Sequence, residues 1–119
     1  MTVTVVICTR NRPALLEKCL KGVQNLSPPP DQVLVVDNTK GDPETERVSR
    51  SFGARYVIEP TAGLLAAKRR AQSELKTDML VFLNDEIVPE EGWLALLLPH
   101  ITGTKAADNG DPELPPTLM

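Results

Sequence analysis

The chain has 119 residues and a formal net charge of −3 at pH 7, a length that argues for one domain rather than two. Hydrophobic residues at 41% and charged residues at 24% are ordinary for a globular protein. Aromatics make up only 3%, as Phe52, Tyr56, Phe82 and Trp93, and with an acidic balance this excludes the stacking platform and basic surface of a nucleic-acid binder.

The first apolar run, Val3–Thr9, reads as a buried strand. No basic region precedes it and no small-residue cleavage site follows, so it does not read as a secretory leader. Pro13 then opens a helix whose apolar stripe is Leu15, Leu16, Cys19, Leu20 and Val23. Cys8 and Cys19, the two cysteines of the chain, both sit inside apolar patterns. That placement suits free thiols of a reducing cytosol and excludes a disulfide scaffold. Gln32–Asp37 predicts a second strand, and Asp42 followed by Pro43 predicts a second helix with Asp42 as its N-cap. Residues 55–59 predict a third strand and residues 62–75 a third helix, with Leu64, Ala67, Ala71 and Leu75 on one side. Met79–Asn84 predicts a fourth strand, and a fourth helix carries Trp93, Leu94, Leu97, Leu98 and Ile101. His100 near its end suits a helix-dipole cap. From residue 102 to 119 the periodicity stops at Gly103, Asp108, Asn109, Gly110, Asp111, Pro112, Pro115 and Pro116. This stretch is expected to be a polar, disordered tail. The longest apolar stretches, 3–8 and 94–98, are far below the ~20 residues of a membrane span.

The order βαβαβαβα, with strands apolar on both faces, predicts a three-layer α/β sandwich around a mostly parallel sheet. The commonest arrangement of such units has strand order 3-2-1-4. It brings together the ends of strands 2, 1 and 4: Asp37-Asn38, Thr9-Arg10-Asn11-Arg12 and Asn84-Asp85-Glu86. Three strands ending in polar clusters on one rim is the main functional signal. The loop from Cys8 to Pro13 has no glycine, which excludes a dinucleotide fingerprint and a Walker loop. A bound phosphate would then rely on a divalent cation and basic side chains. Asp85 and Glu86 are oxygen ligands suited to Mg²⁺ or Mn²⁺. Lys68, Arg69 and Arg70 cluster near a helix N-terminus, where the dipole also favours anions. A phosphate-receiver domain is excluded because strand 1 ends Cys8-Thr9-Arg10 and not in paired acids.

Four blocks, VTVVICTRNRP from Val3, VLVVDN from Val33, EPTAGLLAAKR from Glu59 and VFLNDEIVPEEGW from Val81, resemble family 2 glycosyltransferases of the GT-A fold in order and spacing. The resemblance covers residues 2–101 and implies a nucleotide-diphosphate sugar as ligand. By position it implies that Thr9, Arg10 and Arg12 line the nucleotide pocket and that Asp37 hydrogen-bonds the base or ribose. Lys68 and Arg69 would lie near the diphosphate, Asn84 near the ribose, and Asp85 and Glu86 at the metal, Mg²⁺ or Mn²⁺. The family transfers sugar by a single inverting displacement, with a metal on the leaving diphosphate and a carboxylate base on the acceptor hydroxyl. Asn84 and Glu86 depart from the usual run of Asp. The family's acceptor half and general base lie beyond the fourth helix, and Asp108, Asp111 and Glu113 do not resemble that base. The expectation is therefore a truncated half-domain over residues 1–101, with an unknown acceptor and a cytoplasmic placement, at most peripheral to the inner membrane. A non-catalytic nucleotide-sugar-binding module, or a remnant needing a partner chain, is the alternative. Strand 4 would present an unblunted edge, expected to be covered by a second copy or another chain rather than by the tail.

Overall fold

The computed structural model describes residues 2–94 and 117–118. Its elements are β1 (Val3–Thr9), α1 (Pro13–Gln24), β2 (Gln32–Asp37), α2 (Pro43–Ser51), β3 (Arg55–Ile58), α3 (Leu64–Glu74), β4 (Met79–Asn84) and β5 (Thr117–Leu118). The sheet order is β3-β2-β1-β4-β5 and every pairing is parallel. The register sets Thr9 opposite Asp37 and Cys8 opposite Asn84, so the three polar strand ends fall on one rim as the sequence predicts.

Alternation along the strands divides the core in two. Val5, Ile7, Val35, Val81 and Leu83 pack with Leu16, Cys19, Leu20 and Val23 of α1 and Val48 of α2. Val6, Leu34, Val36, Leu80 and Phe82 pack on the other face with Ala67 and Ala71 of α3. These are the three layers expected. Within the described residues, no helix is long and apolar enough to cross a membrane.

Local chemistry sets the boundaries. β3 stops at Ile58, one residue short of expectation, where the Glu59 carboxylate turns to accept from the Thr61 N–H at 3.0 Å. α3 begins at Leu64 and not at residue 62, because Gly63 has φ 116°, a conformation that cannot lie inside a helix. At Gly22 α1 closely approaches the chain after β4: a Cβ there would lie 2.8 Å from Val88 Cγ1 and 3.0 Å from Pro89 Cδ. The Ser27 N–H donates to the Glu91 carbonyl at 2.8 Å just beyond that contact. The fourth helix starts at Trp93 and Leu94; its remaining positions, with His100 and the acids Asp108, Asp111 and Glu113, lie outside the described residues.

The edge of β4 differs from expectation. Thr117 and Leu118 pair with Leu80 and Val81, so the tail itself supplies a strand at an edge that was assigned to a partner. These two residues follow the stretch rich in Asp, Gly and Pro, and nothing in Thr or Leu opposes strand pairing.

Asp42 caps α2 as predicted, accepting from the Thr45 N–H at 3.1 Å and the Thr45 hydroxyl at 2.6 Å. The Thr45 hydroxyl bond is the main cause holding its pKa below the ordinary carboxylate value. Its stabilising effect is thus fully present above the unfolded value of about 3.9 and is lost as pH falls through the folded pKa. Asp42→Ala is expected to lower the melting temperature at pH 7, with the gap from the parent protein closing below about pH 4. A gap that stays constant from pH 7 to pH 3 would place the effect elsewhere than in the ionised cap.

Candidate functional site

The loop joining β1 to α1 carries two arginines that turn in different directions. Asn11 between them has φ 54°, a left-handed conformation that Asn tolerates better than most side chains. Arg10 Nη1 donates to the Asn38 carbonyl at 2.7 Å, toward β2. Arg12 reaches the other way, toward the acids that follow β4. Its Nη1 donates to Glu86 Oε1 at 2.7 Å, and its Nη2 lies 3.0 Å from Asp85 Oδ1.

Asp85 is 1% exposed. Its Oδ2 accepts from the Thr9 hydroxyl at 2.8 Å. Its Oδ1 has the Arg12 charge beside it but accepts no hydrogen bond, since the guanidinium is close without being aligned. A buried carboxylate oxygen without a donor, next to the exposed carboxylate of Glu86, fits a hard divalent cation. No group of three or more His, Cys, Asp or Glu side chains is assembled among the described residues. Two carboxylates would leave the other positions to water and phosphate oxygens, as Mg²⁺-type sites do.

Asn38, expected on the rim as part of the polar end of β2, ties the loops together. Its Nδ2 donates to the carbonyls of Glu59 (2.9 Å) and Thr61 (2.7 Å), its Oδ1 accepts from the Gly63 N–H (3.0 Å), and its N–H donates to the Thr9 carbonyl (2.9 Å). Asp37 next to it is fully buried. Its Oδ1 accepts from the Thr39 hydroxyl at 2.7 Å, and its Oδ2 from the Asp42 N–H at 3.0 Å and the Tyr56 hydroxyl at 2.5 Å. Burial, reinforced by that bond to Asp37, pushes the Tyr56 pKa up.

A cleft of about 280 Å³ opens beside these groups, between the ends of β1 and β4 and the first turn of α3. Thr9, Arg10, Arg12, Asn38 and Asn84 supply its polar wall, and Cys8, Leu64, Ala67, Phe82 and Leu83 its apolar one. Of the residues expected at the site, Thr9, Arg10, Arg12 and Asn84 line this cleft, while Asp85 and Glu86 stand behind Arg12. Lys68 is buried, its ammonium 5.5 Å from the centre of the Phe82 ring, a cation–π arrangement. Arg69 is exposed and, with Asp37, stands off the cleft lining. Cys8, Leu64 and Phe82 were missed as lining because their periodicity counts them as core; the Gly63-Leu64-Leu65 run, whose leucines are half exposed, was the available signal.

Both thiols stay protonated at neutral pH. Burial pushes Cys8 up to about 11, against the lowering effect of Lys68, and Cys19 up to about 12. Iodoacetamide at pH 7.5 should therefore modify the native chain far more slowly than the chain in urea; equal rates would contradict the burial. Asn38→Ala should cost about 2–4 kcal/mol by urea denaturation, since it strands two carbonyls and an N–H. Asn38→Asp should rescue little, because a carboxylate cannot donate to Glu59 and Thr61.

The model for the family described as "Glycosyl transferase family 2" matches residues 4–110. Glycosyltransferase AglE of Haloferax volcanii is 29% identical over 110 residues, covering 86% of this chain and 36% of that protein. An uncharacterized glycosyltransferase of Rickettsia typhi is 28% identical over 90 residues, covering 75% of this chain and 30% of its own. Among solved structures, glucosyl-3-phosphoglycerate synthase from Mycobacterium tuberculosis, in complex with Mn²⁺, UDP-glucose and phosphoglyceric acid, superposes with a TM-score of 0.70 and 26% identity. That match covers 87% of this chain and 41% of the synthase. The chain thus spans about a third of the length of these curated relatives. The chain belongs to family 2 of the glycosyltransferases, with the GT-A type of fold.

Proposed function

We propose that the cleft binds the nucleoside diphosphate of a sugar donor, for inverting transfer of the sugar to an acceptor hydroxyl. The observation that carries this reading is the convergence of Thr9, Arg12, Asp85 and Glu86 beside a cleft that also presents Arg10 and Asn84. The solved synthase, similar in fold, is a complex with UDP-glucose and Mn²⁺, which supports a donor of that class. Arg10 and Arg12 meet the diphosphate charge, and the free N–H groups at the start of α3 add to it. Lys68 and Arg69, on that same helix, raise the positive potential nearby. Asn84 hydrogen-bonds the ribose. Asp37 has about four acceptor sites, of which Thr39, Asp42 and Tyr56 use three. Those bonds hold the loop between β2 and α2 and fix it to β3, so Asp37, buried off the cleft lining, serves base or ribose recognition through that loop.

A divalent cation held by Asp85 and Glu86, Mg²⁺ or Mn²⁺, would offset the charge on the departing diphosphate. No described residue is assigned as the base that deprotonates the acceptor. The alternative reading is a module that binds the donor without transferring its sugar.

Calorimetry with UDP-, GDP- and dTDP-sugars, with and without Mn²⁺, tests the reading. Binding is expected for one base, with a Mn²⁺ enhancement that Asp85→Ala abolishes. Asp37→Ala should weaken binding on the order of tenfold with or without metal, because the loop beside the cleft loses its anchor to β3. Binding without sugar release would favour the module, and no binding to any of the three would overturn donor recognition.

A further inference from the structure

Arg12 is placed to do more than meet a phosphate. One guanidinium spans both acids that follow β4, at 3.0 Å from Asp85 Oδ1 and 2.7 Å from Glu86 Oε1. The contact with Asp85 is charge without a hydrogen bond, although that carboxylate side chain is wholly buried. The Arg12 side chain is 41% exposed and also lines the cleft, so it can leave the acids without disturbing the core. A guanidinium does not deprotonate in proteins, so it can vacate this place only by moving.

We propose that Arg12 is a displaceable counter-cation: it occupies the Asp85–Glu86 pair when no metal is bound, and exchanges that place for the diphosphate when a divalent cation arrives. This rests on the reading of Asp85 and Glu86 as the metal-holding pair. Two carboxylates and one arginine sum to one negative charge. With a divalent cation on the carboxylates the pair is neutral, and the arginine charge is released toward the cleft. Metal and diphosphate binding are then coupled through one side chain, and by linkage each strengthens the other equally.

Mn²⁺ titration followed by electron paramagnetic resonance, with and without UDP, reads this coupling directly. The parent protein should bind Mn²⁺ weakly alone and at least about tenfold more tightly with UDP. Arg12→Gln should bind Mn²⁺ alone about fivefold or more tighter than the parent, and gain correspondingly less from UDP. Arg12→Lys, whose point charge cannot span both acids, should fall between them and carries the same comparison should Arg12→Gln melt early. If both variants bind Mn²⁺ alone no tighter than the parent, Arg12 is a fixed ion pair or a positioning group, and the displacement is overturned while the metal reading stands. No Mn²⁺ bound by the parent, with or without UDP, overturns both.

Discussion

The side chain of Asn38 holds the rim of this sheet together. A parallel sheet puts strand ends side by side but leaves the loops beyond them free to splay. Here one buried amide bonds at three points to the loop between β3 and α3, while its own backbone joins β2 to β1 and to Arg10. Two donors and an acceptor in this geometry are available from Asn alone: Asp lacks the donors, and Gln places them one methylene further out. The loops after β1, β2 and β3 are thus tied together at that single residue. A fully satisfied polar network is rigid, whereas a partly satisfied one is costly, so the junction holds one conformation.

The acids after β4 are held differently. Asp85 carries a charge into the interior with one hydrogen bond, from Thr9, and one unaligned cation. Burying a carboxylate costs several kcal/mol unless it is paired and hydrogen-bonded, and this one is satisfied at only one oxygen. Local stability is lower than a better-aligned arginine would give. The arrangement suits a residue whose partner changes during its work, and it contrasts with Asp37, where both oxygens are bonded and the loop is closed around them.

Most of the fold was legible because hydrophobic alternation and helix punctuation agree. β1, β2 and β4 begin and end where apolar runs meet polar residues, and α1 and α2 begin at Pro13 and Pro43. The rim was legible once the strand order was assumed, since each strand ends in a polar cluster. The cleft wall was not. Cys8 and Phe82 lie on the face that packs against α3, and whether such a residue meets another side chain or a cavity depends on where the helix starts. Gly63 decides that start by its backbone angle, which a run of Thr-Ala-Gly does not announce. The partners of Asp37 were equally hidden, because Tyr56 comes from the neighbouring strand in a register that periodicity leaves open. β5 is two residues long, too short for any pattern.

Gly22 ties the two ends of this machinery into one body. The segment from Asp85 to Glu91 starts at the acids held by Arg12, just before α1 begins, and presses Val88 and Pro89 onto α1 at Gly22. Ten residues of helix separate those two anchor points, about 15 Å of rod at 1.5 Å per residue. The segment behaves as a bridge with a pier at each end, and its span is set by a helix that hardly stretches. A side chain at position 22 would lift one pier, and the tilt would reach the carboxylates at the other. The smallest residue in α1 therefore guards the alignment of the most highly charged corner of the site, from about three helical turns away.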